Sequence, residues 1–291
     1  MPRVGVLFRP EWAPEGLPAF ARTAERDGFA ELWVVEDCFL AGGPTMAVAA
    51  LAATTRLDVG IGLLPVTLRN PALAAMEIAG AARLHPGRLT VAFGHGVEAW
   101  MRQIGARPPD RLVALEETVA SIRQLLTGET VSRHGRHVEL ADVRLGHPPD
   151  PPPDLLVGTT GRRGMALAAR VADGVLLPEG SGPEAVRWAR EAAAPRRLVV
   201  YAWMSLDSDR DAAFAAVRPQ LERWLELGLY PRLGELATDL RSLAVVGDAT
   251  DCARAVERLE DAGADSVVLV PRHEDHDDQV ARFAGEVLPQ L

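Results

Sequence analysis

Eight short runs of Val, Leu and Ile, each followed by a longer stretch with helical periodicity, constrain this chain more than any other feature. They are Val4–Phe8, Leu32–Glu36, Leu57–Leu64, Leu89–Phe93, Leu155–Val157, Val175–Leu177, Leu198–Trp203 and Val267–Val270. Near-continuous apolar runs belong to strands covered on both faces, as in a parallel sheet linked by crossover helices. Between them, Leu17/Phe20/Ala21/Ala24, Leu112/Leu115/Val119/Ile122/Leu126 and Val280/Phe283/Ala284/Val287 follow the i, i+3, i+4, i+7 spacing of a helix with one apolar stripe. Asn70-Pro71 supplies an N-cap and a first-turn proline, while Gly28, Gly128 and Gly263 sit where left-handed C-caps belong. A helix, glycine, strand junction returns at Gly28–Leu32, Asp173–Leu176 and Gly263–Val267. Eight such units in 291 residues predict an α/β fold, a (β/α)8 TIM barrel forming a single domain over residues 1–291.

Two stretches depart from the repeat. Val131–Leu145 alternates polar and apolar residues around His134-Gly135-Arg136, which predicts a β-hairpin insertion, and it runs into the proline strap His147–Pro153, a stiff spacer. Ala212–Leu243 carries the stripes Phe214/Val217/Leu221/Leu225 and Leu233/Leu236/Leu240/Leu243, which predict a helical insertion before the last βα unit. Such an excursion suits a lid or an oligomer contact, and a homodimer is an open expectation.

Composition removes several functions. All 31 basic residues are arginine, so no Schiff-base lysine, pyridoxal-phosphate lysine or P-loop lysine is available. A net charge of −9 argues against nucleic acid as a partner. Cys38 and Cys252 lack CxxC spacing, so neither a zinc ribbon nor a redox dithiol is indicated. With no signal-peptide pattern and no apolar span of ~20 residues, the chain is expected to be soluble and cytoplasmic, without a membrane partner, acting on a small molecule.

In a barrel of this kind chemistry sits just after each strand, at Arg9-Pro10-Glu11, Glu36-Asp37-Cys38-Phe39, Gly62–Pro65, Gly94-His95-Gly96, Gly158–Gly161, Pro178-Glu179-Gly180 and Arg272-His273. No His-x-His follows the first run, and no metal is expected; the acids of His273–Asp278 are read as favouring the N-terminus of the last helix. Gly158, Thr159, Thr160, Gly161 and Arg162 join a buried strand to a helix start, which can be a phosphate loop or an ordinary βα turn. His95 between two glycines is either a turn residue or a group beside a ligand. Asp37 is either a turn residue or a functional acid, and Cys38 either a small buried hydrophobe or a nucleophile. Gly60 and Gly62 in one strand imply close approach by a flat ligand or an unusual peptide bond.

Taken in order, Gly28–Asp37, Gly60–Pro65 with Arg69-Asn70-Pro71, Pro86-Gly87-Arg88-Leu89 before Gly94-His95-Gly96, Gly135-Arg136-His137 with Asp142–Leu145, and Val171–Gly174 resemble the bacterial luciferase-like monooxygenase superfamily. The resemblance covers nearly the whole chain and is closest to the branch dependent on the deazaflavin coenzyme F420. It implies a barrel that binds F420, or alternatively FMN, at the C-terminal strand ends. Asp37 and Cys38 would border the ring, and Gly62 and Leu63 would support it through a non-proline cis peptide. His95 and Gly96 would lie along the cofactor's tail, with Gly158, Thr159, Thr160, Gly161 and Arg162 at its phosphate or ring edge.

Sugar-phosphate dehydrogenases of this branch carry His, Trp and Glu where this chain has Cys38, Gly42 and Val97, so glucose 6-phosphate is not the expected substrate. The resemblance implies an F420-dependent oxidoreductase that reduces an activated C=C or C=N bond, with Glu11, Cys38 and His95 as candidate catalytic groups. An FMN-dependent monooxygenase is the first alternative, and a non-catalytic ligand-binding barrel the second.

Overall fold

The computed structural model describes residues 3–226, 239–272 and 274–291. Its strands are β1 (Arg3–Leu7), β2 (Glu31–Val34), β3 (Asp58–Pro65), β4 (Leu89–Gly94), β5 (Val131–His134), β6 (Glu139–Val143), β7 (Asp154–Gly158), β8 (Gly174–Leu177), β9 (Arg197–Leu206), β10 (Ala244–Gly247) and β11 (Ser266–Pro271). The α-helices are α1 (Leu17–Arg26), α2 (Gly43–Ala53), α3 (Pro71–Leu84), α4 (Glu98–Gln103), α5 (Arg111–Leu126), α6 (Arg162–Val171), α7 (Pro183–Ala193), α8 (Arg210–Glu226), α9 (Ala249–Asp261) and α10 (His276–Arg282).

Strands β1, β2, β3, β4, β7, β8, β9 and β11 pair in that order, all parallel, and β11 returns to β1. They form a closed eight-stranded barrel, one strand for each apolar run. Side chains alternate along each strand: Leu32 and Val34 of β2 or Leu198, Val200 and Ala202 of β9 face the helices, whereas Trp33, Val199, Tyr201 and Trp203 fill the barrel. The helix ends follow their sequence signals. The Asn70 side chain accepts from the Ala72 N–H at the start of α3, and Gly28, Gly128 and Gly263 adopt positive φ. Strands β5 and β6 make the expected antiparallel hairpin.

The excursion between β9 and β11 differs from the two-helix expectation. The first stripe is α8, but Leu240–Leu243 is a 3-10 turn that leads into a ninth parallel strand, β10; Leu233 and Leu236 lie outside the described residues. The cause is the length of β9. Its Arg197–Val200 half pairs with β8, which then ends, and β10 takes over the vacated edge along Trp203–Leu206. Val217 and Leu221 of α8 pack with Leu243 and Trp203 in the interior cluster, so the excursion covers the β8–β9 side of the barrel mouth.

At the opposite end the interior closes on one carboxylate. Glu31 is buried and accepts hydrogen bonds from Arg3 Nε (2.7 Å), Trp33 Nε1 (2.7 Å), Arg197 Nη2 (2.8 Å) and Ser266 Oγ (2.8 Å). These donors come from β1, β2, β9 and β11. Removing the carboxylate would leave the buried Trp33 indole N–H and Ser266 hydroxyl without their acceptor and take one partner from each of Arg3 and Arg197, and Glu31→Ala is therefore expected to cost about 3–5 kcal/mol. Urea unfolding monitored by tryptophan fluorescence should show the midpoint fall with an unchanged slope; a loss below about 1 kcal/mol would show that the floor does not depend on this residue.

Candidate active site

The barrel mouth has two unlike sides. On the β3–β4–β7 side, backbone lies close to the interior. The peptide joining Gly62 to Leu63 is cis, as the resemblance implied, and the Tyr201 hydroxyl donates to the Gly62 carbonyl across 3.2 Å. A Cβ on Gly94 or on Gly158 would stand 2.5 Å or 2.6 Å from Leu63 Cδ2, so glycine at these strand ends is what admits the Leu63 side chain. The result is a wall of backbone and one aliphatic side chain. Gly96 follows with φ of 67°, beside Pro65 and Met101.

After β7 the chain enters α6 with Gly161 as an extended N-cap that has no side-chain capping bond. Thr159 Oγ1 accepts from the Gly161 N–H at 3.4 Å and lies where a Cβ on Gly164 would stand, so this hydroxyl is occupied in building the turn. Thr160 makes no such internal bond. Arg162 and Arg163 are exposed on the first turn, without an ion-pair partner among the described residues. His95 is half-buried, and desolvation, reinforced by Arg111, lowers its pKa to about 4. It is a neutral imidazole at pH 7, unsuited to donating a proton as imidazolium.

The β1–β2–β8–β9 side is acidic. Glu36 is locked into structure, receiving both terminal nitrogens of Arg69 (2.6 and 2.9 Å) and the Gly43 N–H (2.8 Å). Glu11 is held by Arg9 through bonds of 3.0 and 3.3 Å; Arg9 also donates to the Pro271 carbonyl and lies over the Trp203 ring, 5.3 Å from its centre. Asp37 has neither kind of partner. Desolvation, with help from Glu11, pushes its pKa up to about 6. Glu179, just past β8, is raised to about 7, chiefly by desolvation and further by Asp37 and Glu11, against the opposing effect of its own N–H and Arg9. The Cys38 thiol is also raised, by burial and then by Glu36 and Asp37, which disfavours the thiolate a nucleophile requires.

The structure therefore gathers Glu11, Asp37 and Cys38 on one side of the mouth and the Gly158–Arg162 loop with His95 and Gly96 on the other. Glu179 stands among the strand-end residues, but nothing in the sequence marked it as a site residue. Its distinction is desolvation that outweighs the attraction of Arg9, which spacing does not encode. Among the described residues no group of His, Cys, Asp and Glu is arranged to hold a metal ion. His273 lies outside the described residues.

A model of the luciferase-like monooxygenase family matches residues 9–266. The chain belongs to that family. Among curated relatives it is 29% identical to an F420-dependent glucose-6-phosphate dehydrogenase from Beutenbergia cavernae, over 97% of this chain and 94% of the relative. It is 29% identical to a 5,10-methylenetetrahydromethanopterin reductase from Archaeoglobus fulgidus, over 74% of this chain and 68% of the relative. Among solved structures, an F420-dependent secondary alcohol dehydrogenase in complex with an F420-acetone adduct superposes with a TM-score of 0.83 at 22% identity, covering 98% of both chains. This likeness places the fold of the chain among luciferase-like barrels.

The acid cluster gives the stability of the chain a pH dependence. Asp37 and Glu179 hold protons in the folded protein to about pH 6 and about 7, whereas the unfolded groups release theirs near 3.8 and 4.5. Between those limits the unfolded state binds fewer protons, so stability falls as pH rises. Asp37→Asn and Glu179→Gln should match the wild type in melting temperature at about pH 4 and exceed it above about pH 7. Parallel melting curves at every pH would show that neither group is desolvated.

Proposed function

We propose that the chain is an F420-dependent oxidoreductase acting on a small organic substrate by two-electron hydride transfer. The observation that carries this reading is the backbone wall at the ends of β3, β4 and β7, with Leu63 seated against Gly94 and Gly158, a side-chain-poor surface suited to a flat ring. The F420 dependence of the curated relatives supports the same reading. When bound, the coenzyme supplies hydride chemistry at its deazaflavin ring, and the protein's part is to orient it and exclude water.

In this assignment Gly62 and Leu63 support the ring, Asp37 and Cys38 border it, and His95 and Gly96 follow the tail. The free N–H groups at the start of α6, the Thr160 hydroxyl and Arg162 meet its phosphate. Thr159 shapes the loop rather than binding. A substrate C=C or C=N bond that accepts hydride also needs a proton. Asp37 or Glu179 can hold one near neutral pH, whereas His95 has lost its proton there.

Titration of the purified chain with F420 and, separately, FMN, followed by absorbance, tests the assignment. Tighter binding of F420 is expected. Preference for FMN would move the reading to a monooxygenase, and failure to bind either by a folded protein would leave a ligand-binding barrel. Thr160→Val should weaken F420 binding by about tenfold, the value of one hydrogen bond to a charged group, while Thr159→Val should weaken it less. The reverse order would overturn the division of labour between the two threonines.

A further inference from the structure

Two of the outer helices lack the polar face that the others present. Helices α1, α5, α6, α7 and α9 each carry at least three charged residues, whereas α2 carries none and α3 carries two, Glu77 and Arg83. Both of these are bound within the chain, Glu77 to Arg69 Nε at 3.0 Å and Arg83 Nη1 to the Pro148 carbonyl at 3.1 Å. The two helices pack against each other, with α2 lying on β2 and β3. Thr45, Val48 and Ala52 make up the outward side of α2. That of α3 is a stripe at i, i+3, i+7 and i+11, formed by Leu73, Met76, Gly80 and Leu84. Leu73, Met76 and Leu84 are 54%, 56% and 71% exposed, and every large apolar side chain that is exposed among the described residues lies between positions 39 and 104, in the sector of β2, β3 and β4. A helix that is apolar on every side is normally buried on every side, yet the described residues cover α2 and α3 on one side only. Gly80 adds an independent sign. A glycine in mid-helix weakens the helix relative to alanine, and a Cβ at this position would meet nothing in the chain, so the absent side chain serves no internal contact. Against another helix it allows a closer approach of the two backbones.

We propose that the outward face of α2 and α3 is an interface for a second copy of this chain, joined in an isologous two-fold contact. Charge selects this occupant. The chain carries a net charge of −9, so two copies repel over most of their surfaces. An isologous contact sets a patch against itself and therefore tolerates no excess of one sign, a condition met by a face whose two charges are opposite and each already bound. A strongly charged partner would find nothing there to neutralise it. Loss of charge together with exposed Leu and Met is also the composition of a homodimer core, whereas the sites of transient partners are as polar as the rest of the surface. The face stands on the flank of the barrel, across the ring from β9, so the contact leaves both mouths open and does not involve the excursion after β9.

Sedimentation equilibrium of the full chain, without coenzyme or substrate, tests this. At about 10 µM the chain should have twice the mass of one copy, and Met76→Glu should weaken association about a hundredfold or more, because the symmetric contact receives the carboxylate twice. Leu84→Arg should weaken it as well, although it lowers the net negative charge. Both positions are more than half exposed, so each variant should keep the far-ultraviolet circular dichroism of the wild type. Ala169→Glu, which adds a carboxylate at an exposed position of α6, should leave association unchanged. A monomer at about 10 µM would overturn the proposal and leave the face to a different partner. Dimers that persist in both folded variants, or that Ala169→Glu dissociates equally, would overturn it too. The outcome is independent of the coenzyme assignment, which the F420 titration tests separately.

Discussion

Everything at the mouth of this barrel is referred to one buried carboxylate at its floor. Glu31 accepts from two arginines at one oxygen, and it spends its second oxygen on the indole N–H of Trp33. That bond fixes the plane of a large ring in the middle of the barrel. The ring in turn excludes any side chain at position 60 of β3, because a Cβ there would collide with the indole. It also meets Tyr201 edge-on, with centroids 5.7 Å apart and planes at 78°. The Tyr201 hydroxyl then reaches the Gly62 carbonyl, where a Cβ would again find no room. A line of contacts thus runs from the floor to the backbone wall of the candidate site. Rotating Trp33 would misplace Tyr201, and with it the peptide on which the ring-binding wall depends.

Above that line the two sides of the mouth solve different electrostatic problems. The β4–β7 side offers glycine backbone, an uncapped helix start and two unpaired arginines, a surface that favours an anionic tail. The opposite side concentrates carboxylates whose cations are already bound, apart from Asp37 and Glu179. The Asp37 and Cys38 environments explain each other, since one region of low polarity and negative potential raises both groups. It keeps the thiol protonated and the aspartate within reach of neutral pH. A thiol kept protonated is a poor nucleophile, although it is the more conspicuous residue in the sequence.

The barrel was legible because its evidence is local and repeated. Eight apolar runs, three glycine C-caps and Asn70-Pro71 each report on a few consecutive residues, and closure of the ring follows from their number. β10 was not legible, because Ala244–Gly247 is four residues long and exists only through the overhang of β9 beyond β8. Its preceding leucines fit a helical stripe as well as they fit a 3-10 turn. The site was legible in outline: the glycines of β3, β4 and β7 mark a backbone surface, and the resemblance supplied the cis peptide. Glu179 was hidden for a physical reason. A glutamate after a strand reads as an ordinary solvated loop residue until the approach of Leu221, near Gly180, and the side chains around Arg9 shows that water has been excluded.

The position of α8 bears on that exclusion. The proposed ring-binding wall lies at the ends of β3, β4 and β7. The described residues of the excursion after β9 bury Val217, Leu221 and Leu243 against Trp203. The excursion lies on the acidic side, where loss of water raises the cost of ionising Asp37 and Glu179. The backbone wall and the apolar cover over Trp203 are thus built by different segments of the chain. A change in one can leave the other in place.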